Sequence, residues 1–257
     1  GVKFSTNSDT EVLFQSFIKW GPNCVNKFVG MFAFVVFDKK LNELHLFRDQ
    51  LGIKPIYFKI IDNIFYFSSE IKTFKKISQL SLNINKLTEY TTWGSIVGED
   101  TLLNGIKQIE PGNYLTIDSN LNLKRNVYFD LKDTFTTNDS RIEIERLEDQ
   151  IKNNIIIHTR SDVDYGTQLS GGLDSSFITA IVSSYQKDLK DNNLFTFSTR
   201  LENQDLDETK YQMIVSEQYN TNHQSYIYNN NDIKKYINQT IWMYDYPLHH
   251  PNIISSL

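Results

Sequence analysis

The sequence predicts a two-domain α/β protein, and three observations carry that reading. Short apolar runs separated by tight turn residues fill the first half, as antiparallel strands require. Strand-like and helix-like segments alternate through the second half, which calls for a parallel sheet with crossover helices. Between them, residues 132–140 form the most polar, turn-rich stretch ahead of a strongly helical pattern. The boundary is placed there, giving domains 1–135 and 136–257.

Taken in order, Ser8 or Asp9 caps a first helix with Glu11 in its first turn. Val12, Leu13, Phe17 and Trp20 recur at helical spacing until Gly21-Pro22 stops the run. Residues 31–37 are almost unbroken apolar and read as a buried strand. Leu44, Leu46 and Phe47 mark a second strand, and residues 63–69 a third that turns at Asp62-Asn63. Residues 86–98 look looser, and residues 101–115 follow with the turn pair Pro111-Gly112. In the second half, Ile144, Leu147, Ile151 and Ile155 share one helical face. A strand at 167–169 is followed by a helix at 175–185, with Phe177, Ile178, Ile181, Val182 and Tyr185 turned inward. A strand at 194–199, a helix at 208–219 and a strand at 226–228 complete the alternation. The asparagines near 191–193 and 229–231 read as composition.

Composition narrows the function classes. Apolar residues at 40% and aromatics at 13% can build a real core. A net charge of -5 gives no electrostatic footprint for nucleic acid and no polybasic membrane anchor. No apolar run nears the roughly 20 residues a membrane span needs. The single cysteine, Cys24, excludes an internal disulfide and any multi-cysteine zinc site. A protein of the reducing cytoplasm is expected. The chain opens on Gly1 and stops without a polar tail, so it reads as a segment of a longer protein.

The strongest chemical feature is Leu169-Ser170-Gly171-Gly172-Leu173-Asp174-Ser175-Ser176, which joins a strand to a helix. The glycines let the backbone turn tightly and expose its amides. The helix start adds roughly half a positive charge, so the loop suits an oxyanion. Ser170, Ser175 and Ser176 add hydroxyl donors. Asp174 would repel phosphate unless a cation bridged the two, and magnesium is the natural candidate. No Walker A string and no G-x-G-x-x-G fingerprint occurs.

That string resembles the pyrophosphate loop of the N-type ATP pyrophosphatases. With Ser161-Asp162-Val163 and Gly166 before it, its spacing is similar to the synthetase half of glutamine-dependent asparagine synthetases. Thr199 matches the position that holds adenine in the family, on a stretch that begins at Phe197. Asp207-Glu208, His223 and Asp245 with Pro247 follow the family's spacing, although Tyr246 replaces the usual glutamate. In the first half, residues 8–13, residues 30–34, residues 48–55 and Ser68-Ser69-Glu70 with Lys72 resemble the class II glutamine amidotransferase domain. The resemblance implies a partial αββα sandwich of the N-terminal-nucleophile type, followed by part of a Rossmann-like parallel α/β domain. It implies ATP and Mg2+ at residues 169–176 and Thr199, with Asp174 on the metal. It places Asp9 on the substrate glutamine's ammonium, with aspartate as acceptor. It implies a nucleophilic cysteine upstream of Gly1, so that no catalytic residue falls in this segment.

Other readings stand beside these. Asp9 is equally a helix cap, and Asp207-Glu208 an acidic helix start. Arg48, Asp49, Lys54 and Glu70 read as structural hydrogen bonds and ion pairs, and Cys24 as a packed thiol. His223, His249 and His250 are not spaced for zinc. The acceptor is equally a sugar, β-lactam or peptide precursor, and homodimer formation is left open. Tyr246, and Gln168 in an otherwise apolar strand, keep a non-catalytic nucleotide-binding module in play.

Overall fold

The computed structural model describes residues 3–134, 144–189, 193–202 and 208–247. It separates into two compact units, Gly1–Thr136 with Asp245–His249, and Thr137–Tyr244 with His250–Leu257.

The first unit opens with α1 (Asp9–Trp20). Ser8 is its N-cap and accepts from the amide of Thr10 at 3.2 Å, while Gly21, at φ 58°, closes the other end. Of the two expected caps, Ser8 fills the role and Asp9 is the first helical residue. Glu11 reaches back to the amides of Ser5 and Thr6. With the Thr6 hydroxyl as the main cause, these bonds hold its carboxyl at about 2.

The strands follow as β1 (Ala33–Asp38), β2 (Glu43–Arg48), β3 (Tyr57–Ile61) and β4 (Ile64–Ser68). Then come α2 (Ile84–Trp93), β5 (Lys107–Gln108), β6 (Asn113–Ile117) and β7 (Leu123–Val127). They form two antiparallel sheets, ordered β1-β2-β6-β7 and β4-β3-β5. Asp62 and Asn63 both take positive φ, 49° and 59°, as the tight hairpin turn between β3 and β4 requires.

Leu46, Leu115 and Ile117 pack against Ile56, Phe58 and Ile109, which seals the two sheets face to face. Phe17 of α1, Cys24 and Val25 cover Phe47 on the outer face of the first sheet. Ile71, Phe74 and Ile106 cover Tyr57 beyond the second. Helical turns therefore flank two stacked sheets, as the expected αββα sandwich requires. Each fully buried core side chain of this kind contributes about 1.5–3 kcal/mol.

Several elements differ from the sequence reading, which placed neither β7 nor the helix at Asn230–Tyr244. The stretch taken as loose at residues 86–98 begins inside α2, a helix capped by Asn83 on the Lys86 amide and closed by Gly94 at φ 70°. β3 is an additional strand, with Tyr57 and Phe58 both buried so that no alternation betrays it.

The second unit alternates α3 (Ile144–His158), β8 (Gly166–Gln168), α4 (Leu173–Leu189), β9 (Phe195–Leu201), α5 (Thr209–Tyr219), β10 (Asn222–Tyr228) and α6 (Asn230–Tyr244). The strands pair in parallel in the order β10-β9-β8. Along β9, Thr196 and Ser198 are buried on one face while Phe195 and Phe197 stay exposed on the other. The inner face of α4 is Thr179, Val182 and Ser183; Phe177 and Ile178, expected inside, are each 41% exposed. The asparagines at 229–231 are more than composition. Asn229 accepts from the amides of Asn231 and Asp232, and Asp232 accepts from the Asn229 amide, a reciprocal cap that starts α6.

Candidate nucleotide site and its family

Leu169 follows β8 with its amide on the carbonyl of Phe197 at 2.8 Å, and the whole residue is buried. It supports the loop from inside and faces no solvent. The chain then reverses at Gly171, whose φ is +90°. A Cβ there would stand 3.0 Å from the Glu208 carbonyl oxygen and 3.2 Å from Tyr211 Cβ, so glycine is needed for conformation and for space. Gln212 of α5, 4% exposed, donates to the Ser170 carbonyl at 3.1 Å and fixes the loop from below. Nothing in the local sequence pattern marks Gln212, because its role depends on a residue in another element.

The loop hydroxyls are drawn together. Ser170 Oγ and Ser175 Oγ lie 2.9 Å apart, and Ser175 and Ser176 donate to the Gly172 carbonyl at 3.2 and 2.7 Å. The first-turn amides of Leu173, Asp174 and Ser175 make no hydrogen bond within the described residues. These are the orphan donors of a helix N-terminus, aimed where an anion would sit. Asp174 is exposed at the same turn. Thr167, Gln168, Ser170, Ser175 and Ile178 line an open cleft of about 470 Å³. Thr199 is exposed on β9, two residues past the strand partner of Gln168.

His223 sits beneath β9. Its Nδ1 meets Thr196 Oγ1 and its Nε2 meets Ser198 Oγ, each at 2.9 Å, and burial lowers its pKa. It is a structural bridge between β10 and β9. No group of three or more His, Cys, Asp or Glu that could hold a metal occurs among the described residues. Asp207, His249 and His250 lie outside those residues.

In the first unit Asp9 is exposed on the first turn of α1. Asp49, 1% exposed, accepts from the amides of Phe32, Leu51, Ile53 and Lys54. Arg48 donates to the carbonyls of Lys54, Gly52 and Ile109. Both residues are structural, as expected from sequence. Lys72 lies 3.1 Å from Glu70 and 3.5 Å from Asp245. Asp245 also accepts from the Ile71 amide at 2.8 Å, and Tyr90 donates to the Pro247 carbonyl at 2.5 Å. Cys24 is fully buried, and burial pushes its thiol pKa up.

The glutamine amidotransferase domain family matches residues 1–129, and the asparagine synthase family matches residues 146–257. The chain belongs to the asparagine synthetase family. A putative glutamine-hydrolysing asparagine synthetase of Methanocaldococcus jannaschii is 34% identical over 94% of this chain and 47% of its own length. Asparagine synthetase 1 of Bacillus subtilis is 31% identical over 99% of this chain and 40% of its own. An amidase of Gibberella zeae, chry2, is 30% identical over 70% of this chain and 27% of its own. The chain thus spans less than half the length of these asparagine synthetase relatives. No helix among the described residues is long and apolar enough to cross a membrane.

Proposed function

We propose that the protein makes asparagine from aspartate, with glutamine as ammonia donor and ATP cleaved to AMP and pyrophosphate. The observation that supports this most is the loop at residues 170–176, with free amides, clustered hydroxyls and one exposed carboxylate at a helix start. In this reading the amides of Leu173, Asp174 and Ser175 meet the β- and γ-phosphates. A carboxylate oxygen of aspartate attacks the α-phosphorus, and the bond to the β-phosphate oxygen breaks. Charge gathering on the departing pyrophosphate is met by donors already oriented for it. Ammonia then attacks the acyl carbon of the adenylate, and AMP leaves.

Asp174 suits magnesium in donor type, because that ion is held by one or two carboxylates together with substrate phosphates and water. When bound it would neutralise phosphate charge. Asp9, exposed at the start of α1, would pair with the ammonium of glutamine. Cys24 is unsuited as the nucleophile, being buried and protonated. The nucleophilic cysteine belongs upstream of Gly1 in this reading.

A second reading, in which another carboxylate or amide is the substrate, has one observation in its favour: a relative at 30% identity is named an amidase and not an asparagine synthetase. One experiment separates the readings. Radiolabelled pyrophosphate should exchange into ATP in the full-length protein when aspartate and magnesium are present. Exchange driven by another carboxylate alone would move the acceptor. Absence of exchange with every carboxylate would remove the synthetase reading.

A further inference from the structure

The Gln212 carboxamide is buried in α5 and only half satisfied. Nε2 donates to the Ser170 carbonyl at 3.1 Å, while Oε1 has no partner among the described residues. Burying an acceptor without a partner costs stability, and methionine would fill the same space without that cost. The carboxamide is therefore explained by the carbonyl it holds and not by packing. No other donor to the Ser170 carbonyl occurs among the described residues. The peptide plane it holds has little else to fix it. Gly171 stands at φ +90°, and glycine adopts the opposite sign of φ as readily. Turning the Ser170–Gly171 peptide over changes chiefly ψ of Ser170 and φ of Gly171, so neither residue selects one orientation by itself. In a trans peptide the carbonyl and the N–H point opposite ways. With the Ser170 carbonyl turned to α5, the Gly171 N–H is turned away from it, and it makes no hydrogen bond among the described residues.

We infer that Gln212 is a positioning residue that locks the Ser170–Gly171 peptide with the Gly171 N–H facing the phosphates and the Ser170 carbonyl turned away. The inference rests on the nucleotide reading of this loop and deepens it. The Gly171 amide then joins those of Leu173, Asp174 and Ser175, which are free at the start of α4. Turned over, the same peptide would put a carbonyl oxygen where the amide had been, and that oxygen repels a polyanion. A lock set before the ligand arrives removes the cost of reorienting the loop on binding. Gly171 keeps the lock within reach, because Gln212 Cγ lies 3.3 Å from where a Cβ would stand.

The test is calorimetric binding of ATP and of inorganic pyrophosphate, each with magnesium, to the full-length protein. Gln212→Met keeps the length of the side chain and removes the donor. Circular dichroism matching the wild type shows the variant folded, and both ligands should bind about tenfold more weakly, the scale of one hydrogen bond. Gln212→Glu supplies a donor only when protonated, and burial raises the pKa of such a carboxyl. Against Gln212→Met at the same pH, it should bind pyrophosphate more weakly at about pH 8 and more tightly at about pH 5.5. A side chain that only fills space beneath the loop gives no such crossover. Wild-type affinity in Gln212→Met, or weaker binding by Gln212→Glu at both pH values, would overturn the positioning role while the nucleotide site stands. Should Gln212→Met fail to fold, Gln212→Glu against the wild type decides alone, since its deficit must close as pH falls. If the wild type binds neither ligand, the nucleotide reading is wrong and the inference falls with it.

Discussion

Tyr246 sets its ring against Tyr90 with centroids 6.1 Å apart, and both side chains lie in the first unit. Burial, with Tyr246 close by, pushes Tyr57 well above the usual tyrosine range. The residue that departs from the family pattern is thus integrated into a buried cluster. Tyr246→Ala removes the ring that packs against Tyr90 and leaves a gap in the cluster. The expected loss is about 1–3 kcal/mol of stability, read from denaturant midpoints of the full-length protein. An unchanged midpoint would show that the ring contributes nothing to the packing.

His45 sets a pH dependence. It is 3% exposed, packed against Phe17 and Phe47, with Nδ1 3.1 Å from Thr116 Oγ1. Burial lowers its pKa below 6.5, opposed by Glu43, 3.5 Å away, and by Asp38. Above pH 6.5 the ring is neutral in both folded and unfolded chains and costs nothing. Below it, the unfolded chain takes up a proton that the folded one refuses, so stability falls as pH drops toward the folded value. The slope is about 1.4 kcal/mol per pH unit for one such proton. His45→Gln should flatten that slope below pH 6.5 by up to one proton; identical slopes would place the titration elsewhere.

The parts of the fold that were legible in sequence are those settled by neighbours along the chain. Ser8, Gly21 and Pro22 bound α1 by their own backbone chemistry, and Asp62-Asn63 makes its hairpin turn because both residues tolerate positive φ. The loop at residues 169–176 is legible for the same reason. β3 is not, because Tyr57 and Phe58 are both buried, one toward the sheet–sheet core and one toward Ile71 and Phe74. A strand covered on both faces shows no period of two. α2 has three threonines, poor helix formers, and only its caps, Asn83 and Gly94, announce it. Gln212 and Tyr246 act through partners distant in sequence, and no local pattern encodes that.

Asp9 offers a direct test of the proposed glutamine site. Ser8 already caps α1, so Asp9 is not needed for that purpose and its carboxylate is exposed. Asp9→Asn should raise the KM for glutamine at least tenfold in the full-length protein and leave ammonia-dependent synthesis within about twofold. The expectation follows from removing one charge-assisted contact of about 1.5–3 kcal/mol. Equal loss of both activities would assign Asp9 to the structure of the helix start.

Asp174 is the sharpest case, because its chemistry opposes its surroundings. The free amides of Leu173, Asp174 and Ser175 make the start of α4 attractive to anions, yet an exposed carboxylate stands on the same turn. A carboxylate there stabilises the helix by only about 0.3–1 kcal/mol, and uncompensated it would repel pyrophosphate. A cation shared with the phosphates would reconcile the two. Asp174→Ala should therefore fold normally and lose at least ~10²-fold in ATP–pyrophosphate exchange, the scale of one strong transition-state contact. Raising magnesium should recover part of the exchange in Asp174→Asn, which keeps one neutral oxygen ligand, and none in Asp174→Ala. Glutamine hydrolysis should persist in both variants, since it needs no nucleotide. Exchange at the wild-type rate in Asp174→Ala would reduce this carboxylate to a helix-start residue and leave the loop amides to hold pyrophosphate alone.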